Sequence, residues 1–162
     1  MKKPLLPLVL ALSLTILSAG AFAADTSPAT PVRPRDATLE RAQAAIAGQD
    51  WTAAQAILRD AVAREPRNAD YHNLYAYSTR KAANPDMSLV FKHYNEALAI
   101  DPQHRGAHEY LGEAYLQSGD LPKAEQELKT LDKLCFLPCE EYTDLKRSIE
   151  DYKKGKQANA GS

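Results

Sequence analysis

The chain has 162 residues, with 20 Lys+Arg against 21 Asp+Glu and only two cysteines. So even a charge balance gives no reason to expect nucleic acid or an anionic membrane surface as a partner. The length suits one domain with a continuous core.

The first residues bear on the compartment. Lys2 and Lys3 precede a mostly apolar run from Leu5 to Leu17, and small residues follow, ending in Ala21-Phe22-Ala23. A basic start, a short apolar core and an A-x-A site are the parts of a secretory signal peptide. Cleavage is expected after Ala23, so residues 1–23 are lost and 139 of the 162 remain. Lys2 and Lys3 leave with them, so 18 basic side chains face 21 acidic ones, a formal −3. The apolar run is too short to persist as a stable membrane anchor. No cysteine lies near the cleavage site to take a lipid. The mature chain is therefore expected to be soluble, exported and periplasmic. Residues 24–35, with three prolines in DTSPATPVRPR, read as a flexible leader.

From Ala37 onward the texture becomes helical and rich in alanine. Helices are expected near 36–47, 51–64, 68–82, 86–100, 104–118 and 121–134, with a seventh over about 139–154. The tail 155–162, GKQANAGS, has no apolar face and is expected to fray. Within this region a unit recurs. Residues 48–66 read GQDWTAAQAILRDAVAREP, residues 87–102 read MSLVFKHYNEALAIDP, and residues 118–134 read SGDLPKAEQELKTLDKL. Pro66 and Pro102 close two copies 36 residues apart, and the third copy lies 34 further on. Two helical segments per period of this size point to an all-α helical solenoid. The units run over about 36–67, 68–103 and 104–136.

These residues resemble the tetratricopeptide repeat (TPR) family over roughly 36–136. The third copy carries Leu111, Gly112, Tyr115, Gly119, Ala124 and Leu128. The second carries Tyr71, Leu74, Tyr94, Ala97 and Pro102, with Tyr75 where the pattern has a small residue and about three extra residues around Ala83-Asn84-Pro85. The first carries Ala42, Ala45, Trp51, Ala54, Leu58, Ala61 and Pro66. Gly112, Ala54 and Ala124 are expected to let paired helices approach, while Tyr115, Tyr94 and Leu58 fill the space between layers. The seventh helix carries Tyr142, Leu145, Ile149 and Tyr152 on a narrow stripe opposite a charged face. It is expected to cap the exposed end of the solenoid, with docking to a partner's groove as the alternative.

The resemblance implies that the first helix of each repeat lines a concave surface. Its exposed register maps onto Glu40, Gln43, His72, Asn73, Thr79, Arg80, Glu109, Tyr110, Glu113 and Gln117. Amides, scattered charges and one tyrosine suit an extended peptide or a helix of a protein partner. The alternative is a plain solvated face, and self-association is a further reading. Members that clamp a chaperone's terminal carboxylate place cations and amides on these helices. Here Asn73 fits, but Leu39, Gln43, Gly106 and Tyr110 do not.

No nucleophile-elbow, zinc-helix or phosphate-loop pattern occurs, so no catalytic residue, cofactor or metal site is assigned. Glu140-Glu141 opens the seventh helix, where the helix dipole favours negative charge. His104 and His108 stand one helical turn apart, but two ligands are too few for a zinc site. The cysteines, Cys135 and Cys139, bracket a turn at Pro138. In an oxidising compartment two such thiols are expected to be joined. The competing reading is a small thiol redox or Cu(I)-handling protein built on that pair, although the spacing departs from C-x-x-C.

Overall fold

The structure, a computed structural model, describes residues 36–160. The predicted signal peptide and leader lie outside them. Seven helices follow one another: α1 (Ala37–Ala47), α2 (Trp51–Arg64), α3 (Ala69–Lys81), α4 (Met87–Ile100), α5 (Arg105–Gln117), α6 (Leu121–Leu134) and α7 (Glu140–Ala160).

Local chemistry sets the starts. Asp36, Asp50, Asn68, Asp86 and Asp120 each precede a helix and accept a hydrogen bond from an otherwise unpaired amide of its first turn. Each such cap contributes about 1 kcal/mol. At α5 a histidine takes this role: the Nδ1 of His104 accepts from the Ala107 amide at 3.1 Å. The turns inside the first and third pairs share one conformation, with positive φ at Gln49 (57°) and Gly119 (82°). Glycine adopts that geometry freely, whereas glutamine is strained there.

Two details differ from the sequence reading. The α3–α4 connection, residues 82–86, exceeds the three-residue turns 48–50 and 118–120 by two residues and not three. Helix α7 also continues to Ala160, past the expected end at 154. Its last residues hold no proline, so Gly155 weakens the helix without ending it.

The core consists of three successive clusters, each joining a helix pair to the first helix of the next pair. Ala42, Ala54, Leu58, Ala61 and Tyr71 tie α1 and α2 to α3. Ala76, Val90, Tyr94, Leu111 and Ala114 tie α3 and α4 to α5. Leu116, Ala124, Leu131, Leu145 and Ile149 tie α5 and α6 to α7. Tyr94 and Leu58 are fully buried, as their interlayer role requires, and half-buried Tyr115 stacks on Phe91 at 5.1 Å. Helix α7 thus occupies the place of the first helix of a fourth, incomplete repeat. A methyl group placed on Gly112 would meet the Leu145 side chain at 2.6–3.2 Å. Gly112 therefore admits α7, and not the other helix of its own pair.

Candidate functional site: an acidic groove on the inner helices

The first helices of the successive pairs, α1, α3, α5 and α7, share one cavity of about 310 Å³. Leu39 and Gln43 face it from α1, Asp70, Asn73 and Leu74 from α3, and Gly106, Glu109 and Tyr110 from α5. Glu140, Glu141 and Asp144 close it from α7. The register is regular: 70, 73 and 74 recur 36 residues on as 106, 109 and 110, and then as 141 and 144. Residues three and four apart fall on one helix face, so α3, α5 and α7 offer the same stripe to the groove, and α1 adds Leu39 and Gln43.

Five of these eleven lining residues are carboxylates, and none is lysine or arginine. Asp70 bonds His104 at 3.1 Å, and that bond holds its carboxyl below the usual range. Glu141 meets Arg105 at 3.5 Å, and Asp144 meets Arg147 at 3.0 Å. Glu109 is buried with no such partner among the described residues. Burial, reinforced by Glu113, Asp144, Glu141 and Glu140, pushes its carboxyl up to about 8. Burial also raises Tyr110 to about 12, with Glu109 adding to the effect. Asn73 is 5% exposed, and its side-chain oxygen is buried without a hydrogen-bond partner. An unsatisfied buried acceptor costs about 1–3 kcal/mol, so this one stands out.

Of the ten residues mapped to the concave face, Gln43, Asn73, Glu109 and Tyr110 line the cavity. Glu40 and Gln117 are exposed on α1 and at the end of α5. The exposed register fails for the others on α3, because that helix is covered by neighbours on several sides. His72 is 5% exposed; its Nε2–H donates to the Pro66 carbonyl at 3.1 Å, leaving Nδ1 to accept from His93 at 2.8 Å. Burial, with His72 alongside, lowers His93 to about 4, so it sits there neutral. Thr79 donates to the Tyr75 carbonyl at 2.8 Å. Arg80 is buried, paired with Glu113 at 2.5 Å and bonded to the Tyr94 hydroxyl at 3.5 Å. His72 and Arg80 tie α3 to α4 and α5, Thr79 is spent on its own helix, and none of the three lines the groove.

The remaining histidine pair is likewise committed. His104 uses both ring nitrogens, on Ala107 and Asp70. His108 bonds the Pro102 carbonyl at 3.0 Å and Glu127 at 2.6 Å, repeating the His72–Pro66 contact 36 residues on. Burial pulls its pKa down, but Glu127 and the Pro102 carbonyl outweigh that and leave it raised. Among the described residues no group of three or more His, Cys, Asp or Glu side chains could hold a metal ion. Cys135 and Cys139 stand with Cα atoms 5.8 Å apart, inside the range a disulfide spans. They lie at the α6–α7 corner, outside the groove lining, and the turn between them leaves Phe136 99% exposed.

The sequence reading did not place Asp70, Leu74, Glu140, Glu141 or Asp144 in the site. The signal was available in the period: continuing 106 and 109 by 35 residues reaches Glu141 and Asp144. The seventh helix caps the solenoid as expected, and the same position also carries the groove's register one helix further.

Comparison with known proteins agrees with this geometry. Three solved structures share the fold at low identity. The Yersinia enterocolitica type III secretion translocator chaperone SycD has a TM-score of 0.64 at 16% identity, covering 74% of this chain and 83% of its own. The Sgt2 TPR domain from Aspergillus fumigatus gives 0.63 at 17%, covering 77% and 80%. TTC0263, a thermophilic TPR protein of Thermus thermophilus, gives 0.62 at 18%, covering 76% and 67%. No curated protein matches the sequence at a significant level. Residues 39–83 and 90–135 each match a tetratricopeptide repeat family model. The two matches, of 45 and 46 residues, span 91 of 162, and the chain belongs to the tetratricopeptide repeat family.

Proposed function

We propose that this chain is a non-catalytic, exported interaction module that holds an extended peptide or protein segment in its concave groove within the cell envelope. The observation that carries this reading is the continuous cavity lined by four successive inner helices, three of them in one register. TPR domains bind protein or peptide partners, and a rigid concave surface with unpaired polar groups suits that task. Export is supported by the signal-like start and by two cysteines brought within bridging distance, which an oxidising compartment would join. The mechanism is passive: a preformed groove has no ordering cost of its own when a segment binds. Affinity capture from the envelope fraction tests it, using the full chain beside an Asn73→Ala, Tyr110→Ala double variant. Loss of the captured partner with the variant is expected. Equal recovery would move binding to the outer helices, the leader or α7's outer face.

A further inference from the structure

We propose that the groove selects a cationic side chain: an arginine or lysine of an extended partner segment enters between α3, α5 and α7 and is held by Asn73, Glu109 and the α7 carboxylates. This rests on the reading of the groove as a peptide site and names the chemistry of its occupant.

Two independent observations converge on a cation. The first is the lining itself, with five carboxylates and no lysine or arginine. The cations that do touch it, Arg105 and Arg147, have half or more of their side chains exposed, where such pairs contribute little. Glu109 and Glu140 have no ion pair among the described residues. The second is Asn73, a nearly fully buried groove residue whose carbonyl oxygen has no donor. Five carboxylates and an unpaired amide oxygen outnumber the donors that Gln43, Asn73 and Tyr110 bring, so the lining favours a ligand that supplies donors. A guanidinium brings five N–H groups and a charge, and a lysine ammonium three. Tyr110 adds a ring face against which such a group can lie.

Size and spacing narrow the class. Among the described residues no three of these carboxylates are close enough for a metal ion, and their spread suits a charge carried on a longer group. A cavity of about 310 Å³ is at the small end of ligand pockets, which suits one long side chain with its backbone lying outside. The charged groups around Glu109 are Glu113 on its own helix, Asp70 on α3, and Glu140, Glu141 and Asp144 on α7, with Arg105 spent on Glu141. Helix α1 offers only Leu39 and Gln43. A bound cation favours ionised Glu109, so binding releases a proton below about pH 8 and tightens as pH rises to that point.

The test is a heteronuclear NMR titration of the full ¹⁵N-labelled chain. The probes are the peptide Ac-Ala-Ala-Arg-Ala-Ala-NH₂, its citrulline counterpart and spermidine. The arginine peptide is expected to move the Asn73 side-chain amide and the Arg105–Glu113 amides saturably. The neutral citrulline peptide should bind at least about tenfold more weakly, as loss of a charge-assisted contact implies. Glu109→Gln and Asn73→Ala should each weaken the arginine peptide severalfold; Glu109→Gln keeps the shape of the side chain if Asn73→Ala perturbs folding. Equal binding of the two peptides in the groove would overturn cation selectivity while leaving the peptide-groove reading intact. Shifts confined to the outer helices would overturn both. Spermidine binding more tightly than the peptide would overturn a side chain as the occupant. Absence of any shift, alongside a captured envelope partner that still depends on the groove residues, would overturn the inference alone.

Discussion

Glu109 is buried against carboxylates, and that gives it a definite pH signature. An exposed glutamate ionises near 4.5, whereas in the fold this one ionises near 8, so folding takes up a proton between those values. The folded state then loses stability as pH rises from about 4.5 through 8. Glu109→Gln is therefore expected to raise Tm at pH 9 and leave it nearly unchanged at pH 5, as a thermal melt at each pH would show. Equal effects at both would mean that the burial does not oppose the charge. Arg80 makes the opposite case, a charge that is fully used. Arg80→Ala would leave Glu113 without its partner and the Tyr94 hydroxyl without its donor, costing about 3 kcal/mol by denaturant melt. At this scale the sequence was half legible. The register of one helix placed Gln43, Asn73, Glu109 and Tyr110 on the groove. It could not reveal that His72 and Arg80 are taken up by His93 and Glu113, which lie 21 and 33 residues away. Such pairings are set by tertiary packing, which no local pattern carries.

Among the elements, the six repeat helices were readable to within a residue, because capping residues and prolines mark their ends at the level of single side chains. The capping role of α7 was legible in its narrow apolar stripe, whereas its contribution to the groove was not. Leu145 anchors the helix by entering the space above Gly112. Gly112→Ala is expected to push against a fully buried leucine and cost about 1–3 kcal/mol. Leu145→Ala should cost about 2–5 kcal/mol through the cavity it leaves. If α7 were loosely attached, both substitutions would leave the urea midpoint unchanged. The joint before α7 has its own test. A bond between Cys135 and Cys139 closes a loop of five residues and contributes about 2 kcal/mol on a chain-entropy basis. The Cys135→Ser, Cys139→Ser double variant should fall by about that amount in urea, and the exported native chain should weigh two daltons less than its reduced form. A chain recovered from the periplasm with two free thiols would contradict that staple.

For the molecule as a whole, the period and the small-residue pattern were enough to expect an all-helical solenoid. Each layer buries the next, so the fold is written redundantly along the sequence. The acidity of its inner surface was not legible in the same way. It arises only when α3, α5 and α7, spaced about 35 residues apart, bring one, one and three carboxylates to one cavity, against a net charge that is close to neutral. A partner is expected to occupy this inner surface. A photo-crosslinking residue placed at Gln43, in the groove, or at Lys92, exposed on α4, tests it directly in cells. The Gln43 position should trap a partner that is lost when Asn73→Ala and Tyr110→Ala are added, while the Lys92 position traps none. A partner trapped from Lys92 and not from Gln43 would contradict the account.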